Sequence, residues 1–203
     1  MSLEIVLATH NAHKVAEFQK ILGAALPGLS IVAYDGPEPV EDGVSFAENA
    51  LIKARAAAEH TGKIALADDS GICVDLLGGS PGIFSARWAG AGAGDTANLE
   101  LLLAQLSDIA PEHRAAQFNC HIAIVNPGIG GGEPSEEVAS GIWPGTLAAA
   151  RSGENGFGYD PIFLPSEYEV SAAELTPEQK NSSSHRARAF ERVIPVLQRL
   201  IEG

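Results

Sequence analysis

Cysteine and long apolar runs are both scarce in this sequence. Its 203 residues include two cysteines, Cys73 and Cys120, which are too few for a disulfide scaffold and are expected to be reduced. Cys120 precedes His121, but no second Cys/His pair occurs at ligand spacing, so a core strand is favoured over a zinc site. No apolar run approaches the roughly 18–20 residues of a membrane span. The first residues lack the basic region of a signal peptide, so we expect a soluble cytoplasmic protein that does not bind membranes.

Positive charge is the second scarcity. Lys and Arg number 13 against 26 Asp and Glu, which gives a formal net charge of −13. This balance argues against a nucleic-acid partner, because such proteins carry a basic surface. It does not exclude a small anionic substrate, which would require a local group of cations or a metal ion.

Two common phosphate-binding motifs are also missing. Gly62-Lys63 lacks the earlier glycine of a P-loop, because Ala57 occupies that position, and no complete glycine-rich dinucleotide motif occurs. A different segment, residues 9–14, lies between a strand predicted at 5–8 and the helix that follows, and it ends in Lys14. Free N–H groups at a helix start favour anions. The segment is therefore either an anion site or a helix cap beside a solvated lysine.

The order of the predicted elements indicates the fold class. Short apolar runs predict strands, and helical periodicity predicts helices between them early in the chain. Later, strands at 118–125 and 137–142 are predicted to form a hairpin around a turn at 128–132. This order favours an α/β fold with a mixed central sheet flanked by helices. We predict a single domain over residues 1–203, with a second lobe at roughly 115–175.

Two adjacent carboxylates, Asp68 and Asp69, lie in a turn that we predict between strands at 64–67 and 72–77. Carboxylates are costly to desolvate unless they are paired or bind a metal. Neighbouring side chains of an extended segment face opposite ways. We therefore expect one carboxylate to reach a site and the other to make structural hydrogen bonds, with an ordinary polar turn as the alternative.

Three further segments each allow a structural and a functional interpretation. Glu48 is either the third residue of a helix capping box or a hard oxygen ligand that joins an Asp around Mg²⁺. The glycine-rich segment 153–161 contains Phe157 and Tyr159, which either stack on a base or are buried in a tight turn. Residues 180–186 place cationic side chains at a helix start, which is either an anion site or ordinary capping by serines.

Taken together, these segments resemble the inosine triphosphate pyrophosphatase family, which hydrolyses non-canonical purine nucleotides. The match runs from Ile5 to Arg186, almost the whole chain. Each motif alone is weak, but their joint occurrence in family order is highly specific. The motifs are Thr9-x-Asn11-x-x-Lys14, Phe46-x-Glu48-Asn49-Ala50, Ala67-Asp68-Asp69-Ser70-Gly71, Pro81-Gly82-x-x-Ser85-Ala86-Arg87, Gly156-Phe157-Gly158-Tyr159-Asp160-Pro161 and Ser184-His185-Arg186.

The resemblance implies a two-lobed α/β fold with a nucleotide-binding cleft between the lobes, and a homodimer. It implies Mg²⁺-dependent hydrolysis of a nucleoside triphosphate such as ITP, dITP or XTP to the monophosphate and pyrophosphate. The physical mechanism fits, because a carboxylate beside a metal ion can orient or deprotonate a water molecule. Lys14, with Lys53 and Arg87 as candidates, balances the substrate charge locally in an acidic protein.

The resemblance also implies roles for individual residues. Asp69 matches the catalytic carboxylate and metal ligand, Glu48 the second metal carboxylate of some members, and Ser70 a substrate contact. The phosphate-binding loop corresponds to Thr9, His10, Asn11, Ala12, His13 and Lys14. The contacts on the nucleoside side correspond to Phe157, Gly158, Tyr159, Asp160, Lys180, His185 and Arg186.

The resemblance leaves three questions open. The acidic segment 38–42 precedes the Glu48 helix, so Glu41 or Asp42 is an alternative to Glu48 near the metal. A pyrophosphatase of modified pyrimidine nucleotides, similar to septum-inhibitor proteins, is a rival enzyme, but the ending Ser184-His185-Arg186 favours the purine family. A nucleotide-binding regulator without catalysis is the other rival, and it predicts degenerate acids where this chain has intact ones.

Overall fold

The computed structural model describes residues 3–128 and 132–202, and for His13 and Glu202 it describes the backbone alone. Helices and strands alternate early in the chain, and two long strands follow in its middle. The described strands are β1 (Leu3–Leu7), β2 (Leu29–Ala33), β3 (Ala65–Val74), β4 (Ala115–Asn126), β5 (Ser135–Leu147) and β6 (Phe163–Pro165). The described helices are α1 (Ala12–Ala25), α2 (Phe46–Thr61), α3 (Gly94–Gln105), α4 (Pro177–Ser183) and α5 (His185–Glu202).

The described strands form one sheet in the order β2-β1-β3-β4-β5-β6. Strand β1 is parallel to β2, with Ile5 opposite Ile31, and parallel to β3, with Val6 opposite Ala65. Strand β5 is antiparallel to β6. The sheet is therefore mixed, which confirms the predicted fold class. Strands β4 and β5 are neighbours, in agreement with the predicted hairpin, but residues 129–131 of its predicted turn lie outside the described residues.

The predicted turn at residues 68–71 is wrong, because β3 continues from Ala65 to Val74 without a break. Charged side chains between two apolar segments often mark a turn, since an unpaired carboxylate is costly inside a sheet. Here both carboxylates have polar partners: Asp68 pairs with a lysine and Asp69 accepts a hydrogen bond from an amide. Their desolvation is offset locally, so the strand does not have to end.

The chain divides into two compact units, and unit 1 comprises Met1–Asp69, Cys120–Gly141 and Ala189–Gly203. Ile5 and Leu7 of β1 belong to one buried cluster with α1 and α5, where Phe18 and Phe190 meet edge to face at 4.7 Å. Val6, which points to the opposite face of β1, belongs to a second cluster with α2. Helices therefore flank both faces of the sheet in unit 1. The buried α2 residues in that second cluster are Ala50, Ala54, Ala57 and Ala58.

Unit 2 comprises Ser70–Asn119 and Ile142–Arg188. Its buried cluster joins α3, through Leu99 and Leu102, to the large side chains Trp143 and Phe163. These bounds differ from the second lobe predicted at roughly 115–175, and that lobe stays a prediction. In the part of the chain that the structure describes, no helix has the length and apolar character that a bilayer crossing needs.

Candidate active site

A polar pocket of about 200 Å³ lies in unit 1, beyond the carboxyl end of β1. Strand β1 ends at Leu7, opposite Leu66, so Asp68 on β3 lies past its last residue. Loops that follow parallel strands converge at this edge of a sheet, where α/β proteins bind ligands. The described residues that line the pocket are Ala8, Thr9, His10, Lys14, Tyr34, Glu38, Pro39, Glu41, Lys53 and Asp68.

Lys14 and Asp68 form the most closely bonded ion pair of this pocket. The Lys14 ammonium donates to both carboxylate oxygens of Asp68, at 2.7 and 2.9 Å. Asp68 is 6% exposed, and a carboxylate so buried requires a cationic partner. The pair explains how Asp68 is accommodated inside β3, and it places the Lys14 ammonium at the pocket wall.

Asp69 has looser partners than its neighbour. The Asn49 amide donates to its Oδ2 at 3.2 Å, and the Lys53 ammonium is 3.8 Å from its Oδ1. Burial raises the pKa of the Asp69 carboxyl, against the opposing effects of Lys53 and Asn49, and the negative charges of Glu41 and Asp68 raise it further. A carboxyl whose pKa is raised in this way is suited to accept a proton.

The partners of Asp69, Asn49 and Lys53, lie in the first turns of helix α2, and a cap fixes the start of this helix. Ser45 is the N-cap, and its hydroxyl accepts a hydrogen bond from the Glu48 N–H at 3.2 Å. The predicted capping box is thus half confirmed, since the Glu48 carboxylate accepts from the Val44 N–H, at 2.6 Å, rather than from Ser45. Asn49 and Lys53 are one turn apart, so both face the same side of the helix.

Glu41 is brought towards Asp69 by Lys53. The Lys53 ammonium donates to the Glu41 carboxylate at 3.3 Å while it faces Asp69. The structure gives Glu48 a different contact, with the backbone of Val44. Of the alternatives that the sequence leaves open, the geometry favours Glu41 over Glu48 beside Asp69.

These carboxylates fit a magnesium ion. Within residues 3–128 and 132–202, no three His, Cys, Asp or Glu side chains form a metal-binding cluster. Mg²⁺ does not require one, because it commonly takes one or two carboxylates and completes its shell with water and substrate phosphates. Asp69 and Glu41 are hard oxygen donors, and a cation already lies between them in the form of the Lys53 ammonium.

A second group of predicted residues meets on the surface of unit 2. Phe157 is 60% exposed, and the Lys180 ammonium and Arg186 guanidinium lie 5.4 and 5.2 Å from its ring centre. Arg186 also donates to the Ser70 hydroxyl at 3.4 Å. An exposed ring beside donor groups is suited to stack on a base and to hydrogen-bond its edge.

Three other predicted residues of unit 2 are buried instead. The Tyr159 hydroxyl donates to the Ser85 carbonyl at 2.8 Å. The Asp160 carboxylate accepts from the Phe157 N–H at 2.8 Å and from the Lys180 ammonium at 2.5 Å. His185 stacks on the Phe118 ring at 4.8 Å, and burial, followed by Arg186 and Lys180, holds its pKa well below the usual range. These contacts hold the exposed group, which consists of Phe157, Lys180 and Arg186, in place.

One residue of this region was missed by the sequence analysis. The Asp95 carboxylate, in the first turn of α3, accepts from the Gly158 N–H at 2.9 Å. The two residues are 63 positions apart, so no local motif reveals their contact. Arg87, a candidate for balancing substrate charge, has its guanidinium 5.3 Å from the Phe84 ring centre in the same unit. Of the predicted phosphate loop, the side chain of His13 lies outside the described part of the chain.

The fold and the unit 1 pocket together define a class of protein. A polar pocket with lysines, at the carboxyl end of parallel strands and beside a carboxylate of raised pKa, is typical of enzymes with an α/β fold that act on phosphorylated compounds.

Comparisons with known proteins identify the family. The Ham1 family profile matches residues 5–196. A dITP/XTP pyrophosphatase of Leifsonia xyli subsp. xyli is 61% identical over 198 residues, which cover 98% of this chain and 97% of that protein. The chain therefore belongs to the Ham1 family, which confirms the resemblance drawn from its motifs.

Solved structures agree with this assignment. A HAM1 protein from Coxiella burnetii matches with a TM-score of 0.88 and 40% identity, over 97% of this chain and 99% of that one. A nucleoside-triphosphatase / dITP/XTP pyrophosphatase from Mycobacterium abscessus matches with a TM-score of 0.80 and 46% identity, over 95% and 100%. The chain is an enzyme of the nucleoside triphosphate pyrophosphatase class.

Proposed function

We propose that this enzyme hydrolyses non-canonical purine nucleoside triphosphates, namely ITP, dITP and XTP, to the monophosphate and pyrophosphate with Mg²⁺, and so removes them from the nucleotide pool. The observation that carries the proposal is the Asp69 carboxyl, whose pKa is raised and which faces Lys53 and Asn49 beside the polar pocket. The names of the relatives, dITP/XTP pyrophosphatases, support the choice of substrates.

The charges of the unit 1 pocket support a role for the metal. Among the described residues, its lining carries two lysines, Lys14 and Lys53, against the carboxylates of Glu38, Glu41 and Asp68. A triphosphate would add several negative charges to a lining that already has more acids than lysines. A divalent cation offsets that excess.

In the proposed reaction, the segment from Thr9 to Lys14 holds the β- and γ-phosphates. Ala12 begins α1, so the positive end of the helix dipole and the Lys14 ammonium both favour phosphate oxygens. Asp69 accepts a proton from the water that attacks the α-phosphorus, and pyrophosphate leaves intact. When bound by Asp69 and Glu41, Mg²⁺ supplies charge neutralisation and lowers the pKa of water. Holding the reactants in line and stabilising charge account for most of the rate.

The nucleoside contacts are proposed for the exposed group of unit 2. Hypoxanthine and xanthine carry an oxygen at C6, where adenine carries an amino group, so a donor at this position favours the oxo bases. The N–H groups of Phe157 and Gly158 already bond to Asp160 and Asp95. We therefore assign the donor role to Arg186 rather than to these backbone groups, with the Phe157 ring as the stacking surface.

The metal assignment is tested by two matched variants. We expect Glu41→Gln to raise the Mg²⁺ concentration needed for half-maximal pyrophosphate release by more than Glu48→Gln does. The reason is that the Glu41 carboxylate shares Lys53 with Asp69, whereas Glu48 bonds to the Val44 backbone. A larger effect of Glu48→Gln would return the second metal carboxylate to Glu48, as the motif resemblance implies.

A nucleotide panel tests the proposed function as a whole. The purified protein is incubated with and without Mg²⁺ and with ITP, dITP, XTP, ATP, GTP and methylated pyrimidine triphosphates, and both products are identified. We expect pyrophosphate and monophosphate from the three non-canonical purines, at a kcat/KM well above that for ATP and GTP. Preference for the pyrimidines would replace the substrate assignment, and the absence of hydrolysis would favour a nucleotide-binding regulator.

Two further properties complete the proposal, and both rest on the family resemblance. The enzyme acts as a homodimer, and it acts in the cytoplasm, where the nucleotide pool is kept. Light scattering of the purified chain tests the first, since a monomer mass across micromolar concentrations would contradict it. Cell fractionation tests the second.

A further inference from the structure

Glu41 lies in a segment whose position is held by other parts of unit 1. Residues 34–45, all of which the structure describes, connect β2 to α2 without a helix or strand, and we call them the acidic loop. The end of the acidic loop is tied to α2, because Asn49 accepts from the Gly43 N–H at 3.0 Å and Glu48 from the Val44 N–H at 2.6 Å. At the beginning of the loop, the Tyr34 N–H donates to the Leu7 carbonyl at 3.1 Å, and the next residues are attached by a side chain.

His10 provides that attachment. Its Nε2 is 3.0 Å from the Gly36 carbonyl oxygen, and its Nδ1 is 3.1 Å from the Glu38 carboxylate. Its ring also stacks on the Tyr34 ring, with the centres 5.9 Å apart and an angle of 8° between the planes. A single side chain of the loop after β1 thus contacts three residues of the acidic loop.

Within the acidic loop, the backbone at Gly36 packs closely against the ring of Tyr34. Tyr34 is buried, and its hydroxyl donates to the Pro37 carbonyl at 3.1 Å. Gly36 passes so close to the Tyr34 ring that an added Cβ would lie 2.4 Å from its hydroxyl oxygen and 2.5 Å from its Cζ. Since a Cβ cannot fit there, the path of the loop at Gly36 is determined by the Tyr34 ring.

Both His10 contacts are made to oxygen atoms of the acidic loop, the Gly36 carbonyl and the Glu38 carboxylate, and an imidazole N–H can donate to either. The charged groups that share the pocket with His10 are Lys14, Lys53, Glu38, Glu41 and Asp68.

We infer that His10 is a positioning residue that fastens the beginning of the acidic loop, so that the Glu41 carboxylate stays on Lys53 beside Asp69 and the enzyme works at lower Mg²⁺. The part that concerns Mg²⁺ rests on the proposed function, but the fastening of the loop does not. The motif resemblance places His10 in the phosphate-binding loop, so this inference gives it a role apart from the phosphates.

The experiment compares His10→Ala with His60→Gln. His60 is a matched control, because its ring also contacts Tyr34, edge to face at 5.6 Å, and it lies 3.9 Å from the Asp35 carboxylate rather than contacting Gly36 or Glu38. Hydrogen–deuterium exchange of residues 34–45, without nucleotide or metal, reports the fastening directly. The Mg²⁺ concentration for half-maximal pyrophosphate release reports its consequence. Glu38→Ala, which leaves His10 in place, is the second variant.

We expect exchange within residues 36–42 to accelerate in His10→Ala and Glu38→Ala and to stay at the wild-type rate in His60→Gln. We expect the Mg²⁺ requirement of His10→Ala to rise roughly threefold to tenfold, as the loss of one or two partly exposed polar contacts allows, and by more than turnover at saturating Mg²⁺ falls.

Unchanged exchange in both variants overturns the inference, whatever the activity shows. Faster exchange with an unchanged Mg²⁺ requirement overturns the link from His10 to Glu41, provided that Glu41→Gln does raise the requirement. If Glu41→Gln has no effect either, the metal assignment in the proposed function is what fails, and the part of the inference that concerns Mg²⁺ fails with it.

Discussion

Asp68 and Asp69 show how neighbouring carboxylates in one strand acquire different tasks. Successive side chains of β3 face opposite sides of the sheet, so the two meet different partners. Asp68 receives two short hydrogen bonds from Lys14, whereas Asp69 receives a longer one from Asn49, with Lys53 farther away. Asp68 is therefore held as an ion pair, and Asp69 keeps a raised pKa and the capacity to take up a proton.

Replacing Asp69 tests its role as the general base. Asp69→Asn keeps the size of the side chain and removes the proton acceptor, so we expect kcat to fall by at least roughly 100-fold, the lower range for a lost general base. Steady-state pyrophosphate release measures this, with circular dichroism and thermal unfolding to confirm the fold. Near-wild-type turnover in a folded variant would remove Asp69 from the mechanism.

Lys53 tunes the same carboxyl, and its removal has a predictable sign. The Lys53 ammonium lowers the pKa of Asp69, so Lys53→Met should raise that pKa further. The base form of Asp69 is then lost at a higher pH, and the acidic limb of the kcat profile should move to higher pH. The control is Lys63→Met, because the Lys63 ammonium pairs with Glu4 on the surface of unit 1. An unmoved limb in Lys53→Met would show that Asp69 does not set it.

At the scale of single residues, local motifs identify candidates but not their surroundings. The order of acids and glycines around Asp69 marks it from the sequence. Its partner Asn49 and the buried state of Tyr159 and His185 depend on contacts between distant segments. Glu41 could be named only as an alternative. The sequence does not show that Glu41 and Asp69 both contact the Lys53 ammonium.

Helix α2 is the element on which the unit 1 site depends most. Its alanine face is buried against the sheet, its N-terminus is capped by Ser45, and it ends at Gly62, whose φ of 65° suits glycine. Between these ends, Asn49 and Lys53 are held towards Asp69. The capping signal at Ser45–Glu48 predicted where this helix begins, because capping is a local property of the sequence.

Helix α3 has a corresponding role for the loop that carries Phe157. Asp95→Ala removes the acceptor of the Gly158 N–H, so we expect the loop to loosen and KM for the nucleotide to rise more than kcat falls. Asp95→Asn should restore most of the loss, since an amide oxygen still accepts. Steady-state kinetics with ITP measures both.

The control for this prediction is Glu100→Ala on the same helix. The Glu100 carboxylate pairs with Arg151 on the surface, so its loss should leave KM unchanged. Asp95, in the first turn of α3, also affects the stability of the helix through its dipole, and thermal unfolding separates that effect from KM. Equal changes in KM for the two alanine variants would mean that Asp95 acts only on the helix.

For the whole molecule, the sequence predicted the fold class but not the order of the strands. Alternating strands and helices indicate an α/β sheet, and the mixed directions follow from a later hairpin region. The order β2-β1-β3-β4-β5-β6 depends on long-range pairing that no window of sequence contains. The break predicted inside β3 failed for the same reason, because the lysine that accommodates Asp68 lies 54 residues away.

The net charge of −13 affects how the whole molecule attracts or repels a triphosphate. An acidic protein repels a triphosphate at long range, so affinity has to come from short-range contacts and a metal ion. The pocket lining has this character, with Lys14 and Lys53 set among carboxylates. Binding of a triphosphate to this pocket would therefore depend on where the charges lie and not on their sum.

In the proposed reaction, water attacks the α-phosphorus while the outer two phosphates leave together. Hydrolysis of ITP in ¹⁸O-labelled water, followed by mass spectrometry of both products, tests it most directly. We expect one labelled oxygen in the monophosphate and none in the pyrophosphate. Label in the pyrophosphate, or stepwise release of orthophosphate through a diphosphate, would contradict it.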